Sequence, residues 1–444
     1  MAYGVEAPWP PDTPGASIEL LSPADDNAAG ASWAPAIATY GDGDRGTPGG
    51  PNGAPPGSYT IDGSVVGWHQ PALKASLRFA PHHELESHVL TELAAAKKTA
   101  RLAFFNIRLP AVKTKLISLV KSGVDVHVLL DKKQQDLAYN TMAEELQKAG
   151  VPVTLIENTL AADATLHDKF TVIDGHRVLT GSANYSQTAL NVSDEDLLTF
   201  DDPSLAGRYL AEWDELVAKG AQPSPAYPPS AKIRAFMGPE DDLVDIITAE
   251  LDQAKTHVLC AMFDLGTEPI VDALVAAKDR GVKVVAVLDE VQATEPDATT
   301  DETLKGAGIP VVLAHNTGSK SAEMHSKFAV IDHQRLVMGS ANWTNLGMFF
   351  NDENLLVIAD AHLAARAEGK LAELLQTYNA PSAKSLGLTT GAQQVKLEVT
   401  NVSLNPGVTL AIQSYGGGPF AVPAALQGTA LAASIEAGTN IEYC

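Results

Sequence analysis

Two stretches of this chain carry the same polar residues in the same order. His167 and Lys169 stand two apart, Asp174 follows, and Gly181-Ser182-Ala183-Asn184 comes next. His325, Lys327, Asp332 and Gly339-Ser340-Ala341-Asn342 repeat that set, each residue 158 positions on, and Glu195 and Glu353 keep the same offset. A histidine and a lysine two apart on a strand share one face. Each stretch therefore offers an imidazole, an ammonium, a hydroxyl and an amide at a common point. Such groups suit a phosphodiester. Two lysines (Lys169, Lys327), two asparagines (Asn184, Asn342) and two serines (Ser182, Ser340) can hold non-bridging oxygens and offset charge on a five-coordinate phosphorus without a metal. One neutral imidazole can attack phosphorus while the other, protonated, supplies the leaving oxygen with its proton. A single histidine cannot do both at once, which is a physical reason for two copies. Glu195 and Glu353, each 28 residues after its histidine, are expected to accept a hydrogen bond from the far ring nitrogen and fix the tautomer.

The elements that must position these groups repeat with the same register. Pro81 matches Pro239, Leu85 matches Leu243, Phe105 matches Phe263, Asp131 matches Asp289, and Ala149-Gly150-Val151-Pro152-Val153 matches Ala307-Gly308-Ile309-Pro310-Val311. No gap is needed from about Arg78–Phe200 against Phe236–Ile358, so the repeat is a duplicated domain, not a solenoid. In each copy helix and strand alternate. Val112, Leu116, Ile117, Leu119 and Val120 have helical spacing, and Gly123 is a natural stop. Val124 to Leu130 reads as a buried strand, a polar helix runs on to Ala149, and Val151 to Ile156 is the next strand. Lys169–Ile173 and Arg177–Thr180 read as a hairpin about Asp174-Gly175-His176, which places His167 opposite Ala183 and Lys169 opposite Gly181. The fold class is α/β, with helices covering a parallel or mixed sheet.

The chain has 444 residues, enough for two or three domains. The divisions expected are a Pro/Gly-rich segment over 1–77, a first domain over 78–225, a second over 226–384 and a small β-rich module over 385–444. A formal charge of −23 disfavours tight non-specific binding of nucleic acid. Cys260 and Cys444 are too few for a disulfide framework or a metal site, and no metal or cofactor is expected. No apolar run reaches bilayer length and the first residues lack a signal-peptide pattern, so a cytoplasmic location is the default expectation.

The pattern H-x-K-x4-D with downstream G-S-x-N, present twice, resembles the phospholipase D superfamily over roughly Arg78 to Ile358. The resemblance implies a pseudo-twofold pair of α/β/α sandwich domains with the site at their interface, and a phosphohistidine intermediate resolved by water or another alcohol. It implies His167 as nucleophile and His325 as general acid, with Asp174 and Asp332 holding the hairpin turns. Two internal copies make a monomer with an internal pseudo-dimer the expectation. The copies differ at Asp168 against Ser326 and at Asp196 against Asn354; strand alternation is expected to turn Asp168 away from the site.

Three function classes follow. The first is a lipid phosphodiesterase acting on glycerophospholipids with transient membrane-surface contact. The second is a metal-independent nuclease, and the third a non-catalytic scaffold. Met348-Phe349-Phe350 is either an apolar lip for lipid or core, and Tyr185 and Trp343 either line the groove or pack against a helix. Lys132, Lys133 and Lys320 read as solvated charge.

Overall fold

The computed structural model describes residues 74–378, apart from 219–223, 225, 228–230 and 297, and the backbone of six short strand segments outside that span. Of these six, Ile18–Leu20 pairs antiparallel with Trp33–Pro35, and Thr39–Tyr40 with Asp44–Arg45. Ala383–Thr390 and Gln393–Thr400 form an antiparallel hairpin within a separate unit, Gln376–Cys444. The rest of the β-rich module expected over 385–444 lies outside the described residues.

Each copy folds as a seven-stranded mixed sheet. In the first lobe the order is Ala75–Phe79, Asp196–Asp201, Arg177–Gly181, Lys169–Ile173, Thr99–Phe104, Asp125–Asp131, Val153–Ile156. The last three run parallel to one another and the remaining neighbours pair antiparallel. The second lobe repeats this order with Ile233–Gly238, Glu353–Ile358, Arg335–Gly339, Lys327–Ile331, His257–Met262, Lys283–Asp289 and Val311–Ala314. The duplication read in the sequence is thus a duplication of topology.

Helices cover the sheets as the hydrophobic spacing requires. Pro110–Lys121 buries Val112, Leu116 and Leu119, and Gly123 follows it at φ 89°, a left-handed position that suits glycine. The expected polar helix before Gly150 is instead two short helices, Lys132–Gln135 and Met142–Lys148. The break is stabilised by Asn140, whose amide donates to the carbonyl of Gln134 at 2.9 Å. The apolar core of the first lobe gathers Leu102, Phe104, Leu116, Val128 and Tyr185, and that of the second gathers Val258, Cys260, Leu274, Ala286 and Trp343. Tyr185 and Trp343 are therefore packing residues, as are Phe170 and Phe328.

The lobes are fused through polar and apolar contacts. Phe79 of the first lobe meets Phe328 of the second with ring centroids 6.0 Å apart. The long helix Ala361–Tyr378 reaches back across the boundary: Lys370 donates to the carbonyl of Ala80 at 3.2 Å and pairs with Asp194 at 2.8 Å. The matching helix, Pro203–Ala218, has Glu212 where Lys370 stands, and the counterpart of Asp194 is Asp352. One boundary position holds an ion pair; its twin gathers carboxyls. Burial, with neighbouring carboxyls adding to it, pushes Asp352 up to about 8 and Glu212 well above its usual range. Asp168 nearby rises to about 7, again chiefly through burial.

Carboxyls that bind protons more tightly when folded contribute stability below their unfolded pKa of about 4, and that contribution is lost as pH rises through the folded values. Thermal melts should therefore show a Tm that falls between pH 6 and pH 8.5. Glu212→Lys copies the Lys370–Asp194 arrangement and should raise Tm by several degrees at pH 8 while flattening the pH dependence. A lower Tm at pH 8 would overturn the account.

Candidate active site

The hairpin that carries each histidine is fixed by its turn aspartate. Asp174 sits at φ 51°, and its carboxylate accepts the backbone N–H groups of Lys97, Lys98 and Thr99 at 2.7 to 3.2 Å. Asp332 does the same for Lys255, Thr256 and His257 at 2.7 to 3.1 Å. Those donors lower both carboxyls despite some burial. Both aspartates tie their hairpin turn to the start of the neighbouring strand. The hairpin register pairs Thr180 with Phe170 and Arg177 with Ile173, which carried one step further sets Lys169 opposite Gly181.

The strand stops at the lysine, and the histidine segment crosses to the other lobe. The His167 amide donates to the carbonyl of Asp352 at 2.9 Å, and the Asp352 amide donates to Thr165 at 3.1 Å. The His325 amide donates to Asp194 at 2.8 Å, and the Asp194 amide to Glu323 at 2.9 Å. Two short parallel bridges, Leu166 with Asp352 and Asp194 with Met324, result. Asp131 and Asp289 brace them from behind: each caps the short helix after its strand and also accepts the amide of Leu166 or Met324, at 3.0 and 3.1 Å. Sequence reasoning saw this aspartate pair only as a repeat match. Its signal was an aspartate ending a strand directly before a helix.

The same crossing brings each imidazole to the other lobe's glutamate. His167 Nδ1 lies 2.7 Å from Glu353 Oε1, and His325 Nδ1 lies 2.9 Å from Glu195 Oε2. The glutamates were expected to serve ring nitrogens, and they do, but each serves the histidine it does not follow in its own repeat. Ser182 Oγ donates to Glu195 Oε2 at 2.6 Å and Ser340 Oγ to Glu353 Oε2 at 2.5 Å. Each serine hydroxyl also accepts a backbone amide, from Asp196 at 2.8 Å or Asn354 at 2.9 Å. The hydroxyls of Ser182 and Ser340, expected to hold phosphate, are engaged with protein groups here. Their single protons are committed to the glutamates, and both residues are fully buried. The glycines before them have a reason too. A Cβ on Gly181 or Gly339 would collide with the carbonyl oxygen of Asp196 or Asn354, so glycine lets that strand approach and deliver the glutamate.

Lys169 and Lys327 are almost wholly buried, each donating to the carbonyl of its own histidine, at 2.5 and 2.7 Å. Lys327 Nζ lies 4.8 Å from the centroid of Phe263, and Lys169 Nζ 5.5 Å from that of Phe105. The same two rings pack on the imidazoles, at 4.6 Å for His325 and 5.0 Å for His167. Burial is the main force lowering both lysines, Lys169 to about 7, and both histidines. The two ammoniums each depress both imidazoles, so the four groups share one electrostatic centre. Asn184 and Asn342 follow the hairpins, and the buried amide oxygen of each has no hydrogen-bond partner among the described residues.

The two departures between copies meet across the boundary. Asp168 turns away from its own site, as alternation requires, and its carboxylate accepts the amide of Asn354 at 2.7 Å. Across the pseudo-dyad, Asp196 accepts the backbone amides of Lys327 at 3.1 Å and Ser182 at 3.0 Å beside Ser326. One carboxyl stands in each pair, contributed by opposite strands. Lys133 departs from the solvated default, donating to the carbonyl of Ala162 at 2.7 Å. No group of three or more histidine, cysteine or carboxylate side chains suited to a metal occurs among the described residues. No helix among them is long and apolar enough to cross a membrane.

Comparison with known proteins agrees with this architecture. A family model described as "Cardiolipin synthase, PLD-like domain" matches residues 89–217 and 247–375. A mitochondrial cardiolipin hydrolase of Chlamydomonas reinhardtii is 32% identical over 124 residues, which is 28% of this chain and 53% of that protein. A phospholipase D of Rickettsia conorii is 26% identical over 140 residues, covering 32% of this chain and 68% of its own. The chain thus spans from about half to two thirds of the length of these curated relatives. The crystal structure of phosphatidylserine synthase from Haemophilus influenzae Rd KW20 superposes with a TM-score of 0.54 at 13% identity, over 68% of this chain and 86% of that one, a likeness of fold. With its two matches taking in more than half of the residues, the chain belongs to the PLD-like family, and its lobes are two copies of that domain.

Proposed function

We propose that this chain is a phosphodiesterase of the phospholipase D type that cleaves glycerophospholipids through a phosphohistidine intermediate. The carrying observation is the exchange of glutamates. With each Nδ1 held by the other lobe's carboxylate, each Nε2 is left for one phosphorus atom. In this reading His167 Nε2 attacks phosphorus while His325 gives its proton to the leaving oxygen. His325 then takes a proton from water, or from another alcohol, as that oxygen displaces His167. Lys169, Lys327, Asn184 and Asn342 hold the phosphoryl oxygens. Ser182 and Ser340 act one step back, by holding the glutamates. The two lysines, lowered by burial in spite of the carboxylates around them, regain their preference for the charged form once a phosphate anion lies between them.

Lipid is favoured over nucleic acid by one rim of the boundary. Met348 is buried, but Phe349 and Phe350 are 46% and 38% exposed, and Leu160 is 59% exposed. Asn158 ties them together: its side-chain amide donates to the carbonyl of Phe350 at 2.7 Å, and its oxygen accepts the amide of Leu160 at 2.9 Å. Asn351 and Asp352, next in the chain, join the backbone bridge to the His167 segment. The twin rim carries Asn191, Val192 and Gly318 instead. An apolar lip on one side suits an acyl chain entering beside the nucleophile. The charge of −23 disfavours a polyanion. The curated relatives named phospholipase D and mitochondrial cardiolipin hydrolase support the same class.

Purified protein should release headgroup alcohol from phospholipid vesicles with chelator present. His167→Ala and His325→Ala should each lower kcat by about 100- to 10,000-fold. Strict loss of turnover with chelator, or faster nicking of single-stranded DNA than lipid cleavage, would sink the proposal.

Phe349→Ser should lower activity on vesicles several-fold more than on a soluble diester such as bis(p-nitrophenyl) phosphate. Equal losses would remove the lipid-facing role of the lip.

Ser182→Ala separates two roles. Loss of a glutamate tie lowers kcat at nearly constant KM, whereas loss of a phosphate ligand raises KM. The first outcome is expected. Affinity for vanadate, read by inhibition, should fall as pH rises through about 7, because binding then requires Lys169 to take up a proton.

A further inference from the structure

The two histidine–glutamate pairs are alike in sequence offset but unlike in their surroundings, and Asn351 is part of the difference. Asn351 is buried beside the first pair. Its side-chain oxygen accepts the backbone amide of Thr165 at 3.0 Å, and its side-chain amide donates to Glu353 Oε1 at 3.2 Å. Glu353 thereby receives His167 and Asn351 on one oxygen and Ser340 on the other. The residue at the twin position is Ser193. Its hydroxyl oxygen accepts the backbone amide of Glu323 at 3.1 Å. Ser182 and His325 both approach Glu195 at Oε2.

We infer that Asn351 is a positioning residue that keeps the His167–Glu353 pair free of an extra proton, so that the two imidazoles enter the reaction in different protonation states. The inference rests on the phosphodiesterase reading. A proton on Glu353 would turn the hydrogen bond around: the carboxyl O–H would donate to His167 Nδ1, and the ring proton would move to Nε2, the atom needed as nucleophile. The Asn351 N–H directed at Oε1, with Ser340 on Oε2, opposes that proton at both oxygens. Other groups facing Glu353 are His167, Lys169 and Lys327, which favour the carboxylate, and Asp168 and Asp352, which oppose it. Despite its burial, Glu353 is held below the usual carboxylate range by the charge and hydrogen bond of His167, the Lys169 charge and the Ser340 hydrogen bond, and the Asn351 N–H adds a donor on the same side. Glu195, which has no asparagine contact of this kind, is pushed well above that range, mainly by burial, with the Asp196 carboxyl adding to it. The second pair is thus the one able to store the proton that the leaving oxygen takes. In the first step a bond forms from His167 Nε2 to phosphorus, the phosphorus–oxygen bond breaks, and the His325–Glu195 pair loses one proton to that oxygen.

Asn351→Ser copies the twin position, and Asn351→Asp keeps the shape and the acceptor for Thr165 while placing a carboxylate against Glu353. On bis(p-nitrophenyl) phosphate, Asn351→Ser should lower kcat about tenfold with KM little changed, the scale of one lost hydrogen bond to a charged group. Asn351→Asp should be worse at pH 8 and recover toward wild type near pH 5.5, as the new carboxyl is protonated and donates. Ser193→Ala should change kcat far less than Asn351→Ser. A pH-independent deficit in Asn351→Asp would show a purely structural role and overturn the inference. Nitrogen NMR of the His167 ring gives a reading that needs no turnover: the Nδ1–H tautomer in wild type and a mixed tautomer in Asn351→Ser. Unchanged tautomers would overturn the inference even where turnover is normal. Absence of diesterase activity alongside the expected tautomer shift would instead remove the phosphodiesterase reading.

Discussion

The structure depends on an exchange of carboxylates between two copies of one domain. Glu353 reaches His167 and Glu195 reaches His325, and the backbone just before each glutamate pairs with the segment leading to the histidine it serves. Neither lobe can assemble its own imidazole correctly. The histidine sits past the end of its strand, and the other lobe supplies the acceptor for its backbone amide. Lobe association and site formation are therefore one event. A buried imidazole–carboxylate pair is costly to assemble and costlier to leave half made, which makes the boundary specific as well as stable.

Around that exchange the site is layered. Asp174 and Asp332 fix the hairpin turns, Asp131 and Asp289 fix the approach to the histidines, and Ser182 and Ser340 fix the glutamates. The glycines ahead of the serines permit the close approach of backbone that this needs. The two imidazoles and two ammoniums are thus surrounded by groups whose role is geometric. Preorganisation of this sort costs nothing at the moment of reaction, because the dipoles are already in place.

The pseudo-twofold frame also shows where the copies have diverged. Lys370 against Glu212, Asn351 against Ser193, and Phe350 against Val192 all lie at the boundary; the last two pairs stand in or next to the exchanged segments, and Lys370 reaches one through Asp194. A symmetric frame with two identical halves would present the same face to both ends of an asymmetric diester. These differences leave one side of the boundary with the apolar rim and the Asn351 contact to Glu353, and the other with the Lys370–Asp194 ion pair.

Much of this was legible in the residues. A gapless repeat with His-x-Lys, Gly-Ser-x-Asn and a trailing glutamate determined the duplication, the α/β class, the hairpin register and the cast of polar groups, because strand period and turn chemistry are local. Alternation alone turned Asp168 away from the lysine face, and the structure agrees. What a linear repeat cannot express is which copy a side chain serves. The glutamate partnering arises from contacts between residues 130 or more positions apart, and the tie of each serine to the glutamate 13 positions on exists only once their two strands pair. The same holds for the exposed Phe349 and Phe350, which follow a buried Met348 in one short apolar run. Periodicity ranks residues within an element; only the packing of one lobe on the other decides which atoms of that element are left to meet a ligand.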